Sequence, residues 1–235
     1  METKTSDIAA IFSKGIIGAI PFVGPLAAEI VGTLIPNQRI DRIERFLIIL
    51  DKKINQIDQL DNRKVKEKFK TEESIDLIED AFLQASRAIS EERKEHIASL
   101  IKNSLSDEKL RHLEYKKLLS LLGQINDLEI LILKSHSLSQ VDDEFDIFWA
   151  KHEDTLMPPS ATIGSSREDL DKTAIFEAHE SHLVSLNLLK RRFRRPNRGE
   201  LPEFDEKTGM MKAQGYDITS LGRLLLRSID QGGEI

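Results

Sequence analysis

Residues 39–57, RIDRIERFLIILDKKINQI, decide the fold class. Ile40, Ile43, Leu47, Leu50, Ile54 and Ile57 recur at alternating steps of three and four, which lays them in one stripe along a helix. Asp41, Arg42, Glu44, Arg45, Asp51 and Lys52 occupy the remaining surface, and Pro36-Asn37 marks the boundary before it. The stripe runs for about three heptads, short of a secure coiled coil, so packing within a helical bundle is the expected use.

The same period continues downstream. Ile75, Ile78, Phe82, Ala85 and Ile89 mark a second helix, and Ser90-Glu91-Glu92 is a cap with acidic first-turn residues for a third, bearing Ile97, Leu100 and Ile101. Ser106-Asp107-Glu108 repeats that start signal before Leu110, Leu113, Leu118, Leu121 and Leu122, with Gly123 as the stop. A fifth helix follows through Leu128, Leu131 and Ile132. Short polar turns between amphipathic helices describe a compact α-helical bundle.

Upstream, residues 15–36 are different in kind. Between Gly15 and Ile35 the only charge is Glu29, and as one helix these residues would extend about 31 Å, close to the thickness of a bilayer core. Pro21 and Pro25 each remove a backbone donor, and an ionised Glu29 would cost about 2.5–3.5 kcal/mol at the bilayer centre, so a simple span is a poor description. Two helical arms meeting at Pro21-Phe22-Val23-Gly24-Pro25 place the breakers in one turn and make an apolar hairpin. Its membrane-facing candidates are Ile16, Ile17, Ile20, Phe22 and Val23 on one arm and turn, and Leu26, Ile30, Val31, Leu34 and Ile35 on the other. Lys14, Arg39, Arg42 and Arg45 flank it at what would be headgroup level. The alternative is a hairpin surrounded by other helices as the core of a soluble bundle.

Composition bounds the rest. The 235 residues are 40% hydrophobic and 31% charged with a net charge of −6, so attraction to nucleic acid or anionic lipid has to come from local patches. The absence of cysteine removes thiolate nucleophiles, disulfides and cysteine-rich zinc sites, in keeping with a cytoplasmic protein. The start METKTSDIAAIFSKG lacks the layout of a secretory signal and is read as mature.

Such a local patch lies near the other end. Lys190, Arg191, Arg192, Arg194, Arg195 and Arg198 set six positive charges in nine residues with no acid among them, a candidate site for anions or a partner. Nucleic-acid phosphates, a protein or second copy of the chain, and plain solvent are the three readings. The acidic run Asp142, Asp143, Glu144, Asp146, Glu153 and Asp154 is a candidate counter-charge. Trp149, with Phe145 and Phe148, is read as core packing of a short helix, with anchoring of a partner the alternative.

No catalytic constellation emerges. His179 and His182 stand at i and i+3 on a helix, close enough to share a metal, but no third ligand is identifiable and they are read as surface or interface histidines. Gly164-Ser165-Ser166 reads as a helix cap rather than a nucleophile elbow, and no phosphate loop or dinucleotide fingerprint is present. Asp142, Asp143 and Glu144 are adjacent and point in different directions on a helix. The expectation is a non-enzymatic protein with no cofactor, no metal and no small-molecule substrate.

Two resemblances add to this reading. The helix through Leu186-Asn187-Leu188-Leu189, a loop, a short Tyr216-Asp217-Ile218 strand and a helix capped by Thr219 resemble the second half of winged-helix domains, in which the position of Asn187 is usually glycine. Residues 91–104, EERKEHIASLIKNS, then 118–127, LLSLLGQIND, then the Leu-Leu to Thr-Ser-Leu-Gly-Arg ending resemble the Abi-alpha-type proteins of bacterial abortive infection over roughly half the chain. That resemblance implies a role in anti-phage defence. The expected protein is mainly α: an apolar N-terminal hairpin (1–37), a helical bundle (38–157), a linker (158–166) and a small winged-helix-like α+β module (167–235). The expected function is a defence effector, cytoplasmic and peripheral to or inserted at the inner membrane, with lipid and self-association or a protein as partners. The alternative is a winged-helix-like regulator or adaptor that binds DNA or protein.

Overall fold

The computed structural model describes residues 39–57, 68, 71–107, 110–139, 141, 143–157, 162, 164–199, 201–204 and 209–232. The apolar segment of residues 15–36 lies outside them, as do all ten membrane-facing candidates. The described residues hold eight α-helices and a two-stranded antiparallel sheet near the C-terminus. The mainly helical class is therefore as the sequence indicates. Contacts divide the chain into two compact units, Met1–Gln124 with Ser228–Asp230, and Ile125–Arg227 with Gln231–Ile235.

The first unit contains α1 (Ile40–Ile54), α2 (Glu72–Arg87), α3 (Glu91–Ser106) and α4 (His112–Gln124). The stripe on α1 is buried as its spacing requires: Ile43, Leu47, Leu50 and Ile54 are at most 3% exposed. Phe46, absent from the stripe, is fully buried beside it and meets Phe82 of α2 edge to face at 5.6 Å. Each such side chain contributes about 1.5–3 kcal/mol relative to exposure. Ser90 caps α3 by accepting the Arg93 amide at 3.1 Å, as expected.

Helix ends are fastened by side chains from neighbouring helices. Arg42 of α1 donates to the carbonyls of Ser86 and Arg87 at the end of α2, and Arg93 of α3 donates at 2.8 Å to the carbonyl of Leu122 near the end of α4. Arg42, one of the cations flanking residues 15–36, is half-buried and engaged with the end of α2, while Arg45 is exposed.

Three local expectations are corrected. Ile89, placed on the buried stripe, is 84% exposed, because α2 stops at Arg87, Ala88 turns extended and Ser90 immediately opens the next helix. Leu113 is 70% exposed, since Tyr115, Leu118, Leu119 and Leu122 carry the buried face of α4. The start signal at Ser106-Asp107 belongs instead to the end of α3: Ser106 is its last residue, and Asp107 leaves in extended conformation with its carboxylate accepting the Tyr115 hydroxyl at 3.1 Å. The first turn of α4 is held by Glu114, which accepts the backbone amide of Arg111 at 2.9 Å.

The second unit contains α5 (Asp127–Ser135), α6 (Asp143–Leu156), α7 (Arg167–Ser185), β1 (Leu189–Phe193), β2 (Ala213–Ile218) and most of α8 (Ser220–Ser228). Its core is small, formed by Ile130, Ile132 and Leu133 with Leu183, Leu188, Leu189, Ile218, Leu225 and Leu226. Ser166 caps α7 through the Asp169 amide at 3.1 Å, as its position after Gly164 indicates. Phe148 of α6 is buried and Trp149 half-buried, which agrees with a packing role for this aromatic cluster.

Candidate functional site

The basic run sits on a β-hairpin, and the way it gets there begins at Asn187. This residue adopts φ +57°, and the amides of Asn187 and Leu188 bond back to the carbonyls of Val184 and Leu183 at 2.9 and 3.0 Å, a Schellman ending for α7. The left-handed position explains why glycine or asparagine suits it. It also corrects the expected length of the helix: Leu186 is the cap and Leu189 opens β1.

Thr219 closes the other end. Its hydroxyl donates to the carbonyl of Asn187 at 2.7 Å, its amide donates to the carbonyl of Leu188 at 3.0 Å, and its oxygen accepts the Gly222 amide at 3.0 Å as the cap of α8. One side chain therefore joins the root of the hairpin to the following helix. The cap on Thr219 and the strand at Tyr216–Ile218 agree with the sequence reading; β1 does not appear in it, because a run of cations carries no alternating apolar signal.

Leu189 pairs with Ile218, Lys190 with Asp217, Arg191 with Tyr216 and Arg192 with Gly215, after which Phe193 pairs with Ala213 and leaves Gln214 as a bulge. Leu189 is the only buried residue of β1. Tyr216 stands edge-on to His136 of the same unit at 6.2 Å, and burial pushes the His136 imidazole below its ordinary range. Lys190, Arg191, Arg192, Arg194, Arg195 and Arg198 are all exposed.

Two of these six cations have acidic neighbours among the described residues: Arg192 lies 3.5 Å from Asp217 and Arg194 lies 3.4 Å from Glu203. Surface pairs of this length are worth about 0–1 kcal/mol and yield readily to another anion. Among the described residues Lys190, Arg191, Arg195 and Arg198 make no ion pair. Among the described residues no member of the acidic run pairs with these cations within the chain: Glu144 of α6 faces Lys134 at 3.6 Å, whose ammonium also lies over the Phe148 ring at 5.7 Å, and Asp142 lies outside the described residues.

The histidine pair has a partner that the sequence reading missed. Oε1 of Glu129 is 3.1 Å from Nδ1 of His179 and 2.8 Å from Nδ1 of His182, while Oε2 accepts the Asn126 amide at 2.8 Å. The Glu129 side chain is only 3% exposed. Burial alone would raise its pKa, but the Asn126 amide and the two imidazoles together hold the carboxyl below its usual range. Asn126-x-x-Glu129 is a capping box, the one sequence signal that could have located this group. Among the described residues no group of three histidine or acidic side chains is arranged to hold a metal ion. The cluster fixes α7 to α5 through one ionised carboxylate.

No helix among the described residues is long and apolar enough to cross a membrane. Comparison with protein-family models, with curated proteins and with solved structures finds no match. The residues brought together are thus the evidence for function: a hairpin that presents cations outward, and a histidine–carboxylate cluster satisfied within its own unit.

Proposed function

We propose that this protein is a non-enzymatic effector of bacterial anti-phage defence that acts at the inner membrane. The observation that carries the reading is the outward-facing basic hairpin, Lys190 to Arg198, on the same chain as the nearly uncharged residues 15–36. Anion contact by the first and insertion by the second are complementary means of holding an anionic bilayer. The stretches that resemble Abi-alpha-type proteins support the defence role. Residues 15–36 act when exposed, as a hairpin broken at Pro21 and Pro25, rather than as a permanent span.

Membrane fractionation joined to dye leakage from vesicles by the purified chain tests this. Val23→Asp with Ile30→Asp should abolish dye leakage and toxicity, the functions assigned to insertion, while leaving the helical circular dichroism intact. A wild-type chain that stays unbound and causes no leakage would overturn the reading.

A second reading, a winged-helix-like regulator, is favoured by one observation: the order α7, β1, β2, α8 with the left-handed Asn187 and the Thr219 cap. Charge reversal at Arg191, Arg192 and Arg194 should then lower duplex DNA affinity and flatten its salt dependence. Unchanged affinity across salt concentrations removes this reading.

A further inference from the structure

The hairpin continues past the paired strands, with Phe204 bridging Met211 and the Lys212 amide donating to the Glu203 carbonyl at 2.9 Å. Its large apolar side chains are turned to solvent: Leu201 is 84% exposed, Met210 61%, Phe204 56%, Phe193 42% and Met211 39%. Arg194, Leu201, Met211 and Lys212 line one depression together with Glu203, the ion-pair partner of Arg194, so cationic and apolar groups share a surface. A single exposed leucine is ordinary; five large apolar chains on one hairpin among six cations are a patch.

The mixture discriminates between anionic partners. Nucleic acid would account for the arginines and for Phe193 and Phe204 as stacking faces, but it leaves the exposed aliphatic side chains Leu201, Met210 and Met211 without a partner. An anionic bilayer offers both components, phosphates in the headgroup layer and an apolar boundary just beneath. We propose that the distal hairpin is an interfacial anchor for anionic lipid, with Arg194, Arg195 and Arg198 on the phosphates and Leu201, Phe204 and Met210 entering the boundary. Arg194 exchanges its exposed Glu203 partner for a lipid phosphate. This inference rests on the membrane reading and adds a second contact, independent of residues 15–36.

Co-sedimentation of the full chain with phosphatidylglycerol-containing vesicles, and with phosphatidylcholine alone, tests it. Arg195→Glu with Arg198→Glu should weaken binding to the anionic vesicles by at least about tenfold, from roughly fivefold per cation removed. Leu201→Asp with Met210→Asp should do the same, both variants keeping the wild-type circular dichroism and thermal midpoint; Leu201→Ser with Met210→Ser replaces a variant that fails to fold. Val23→Asp with Ile30→Asp should retain the anionic-vesicle binding. Hairpin variants that bind like wild type overturn the anchor while the membrane reading stands on residues 15–36. Loss of duplex DNA binding with vesicle binding intact also overturns it. A wild-type chain that binds neither vesicle removes the membrane reading itself.

Discussion

Nδ1 of His182 stands 2.8 Å from Oε1 of Glu129, a carboxylate 3% exposed that also holds the cap of its own helix. The pKa of Glu129 is lowered in the folded chain, so the carboxylate stabilises the fold above the unfolded glutamate value of about 4.3 and loses that contribution as pH falls through the folded value. Glu129→Gln should cost about 1–3 kcal/mol at neutral pH. Denaturation midpoints of wild type and variant should converge on acidification below about pH 4; parallel curves would show that the charge is immaterial.

Gly222 is a close-approach position. A Cβ there would run into the Leu188 carbonyl oxygen and stand 2.8 Å from Cγ1 of Ile218 and 3.2 Å from Cδ1 of Leu133. Gly222→Ala should therefore destabilise by about 1–3 kcal/mol, despite the better helix propensity of alanine. Gly123→Ala is the comparison: its nearest obstacle at 2.9 Å is the Gln84 side-chain amide, which donates to the Leu119 carbonyl, so the cost should be about 1 kcal/mol by urea denaturation, the worth of that one bond and below that of Gly222→Ala.

Asn187→Gly should be neutral or slightly stabilising, since φ +57° carries no penalty for glycine. Asn187→Val should lose about 1–2 kcal/mol and loosen the start of β1, seen as faster amide exchange at Lys190 and Asp217. Equal stability of the two variants would contradict the left-handed cap.

Asp230 stands at φ +56° after α8 and binds Lys102 at 3.0 Å, Lys53 at 3.5 Å and the Asn103 amide group at 2.9 Å. Burial opposes its charge, yet the bonds from Asn103 and Lys102 lower its pKa. Its contribution is thus complete above the unfolded aspartate value of about 3.9 and lost as pH falls through the folded value. Asp230→Asn keeps the left-handed tolerance and removes the charge, so it should cost about 0.5–1 kcal/mol, less in high salt. Asp230→Ala should cost more, because alanine resists the backbone conformation.

Helices were legible because each carries its own signal. The three-four spacing of Ile43, Leu47, Leu50 and Ile54 and the caps at Ser90, Ser166 and Thr219 act within a few residues, and the structure keeps them. Ends that depend on distant groups were not legible. Leu113 lies on an open face that its spacing does not reveal, and Ser106-Asp107 has the composition of a helix start but closes the helix before it.

The candidate site divides in the same way. The sequence by itself determined that six cations cluster at Lys190–Arg198 and that two histidines share one helical face, since both are facts of spacing. Only the tertiary structure decided that Asn187 turns Lys190, Arg191 and Arg192 onto an exposed strand, that Leu201, Phe204 and Met210 stay unburied in the same hairpin, and that Glu129 meets His179 and His182 across 50 and 53 residues. Pairings at such separations follow from how helices and strands pack, and no local window of the chain contains them.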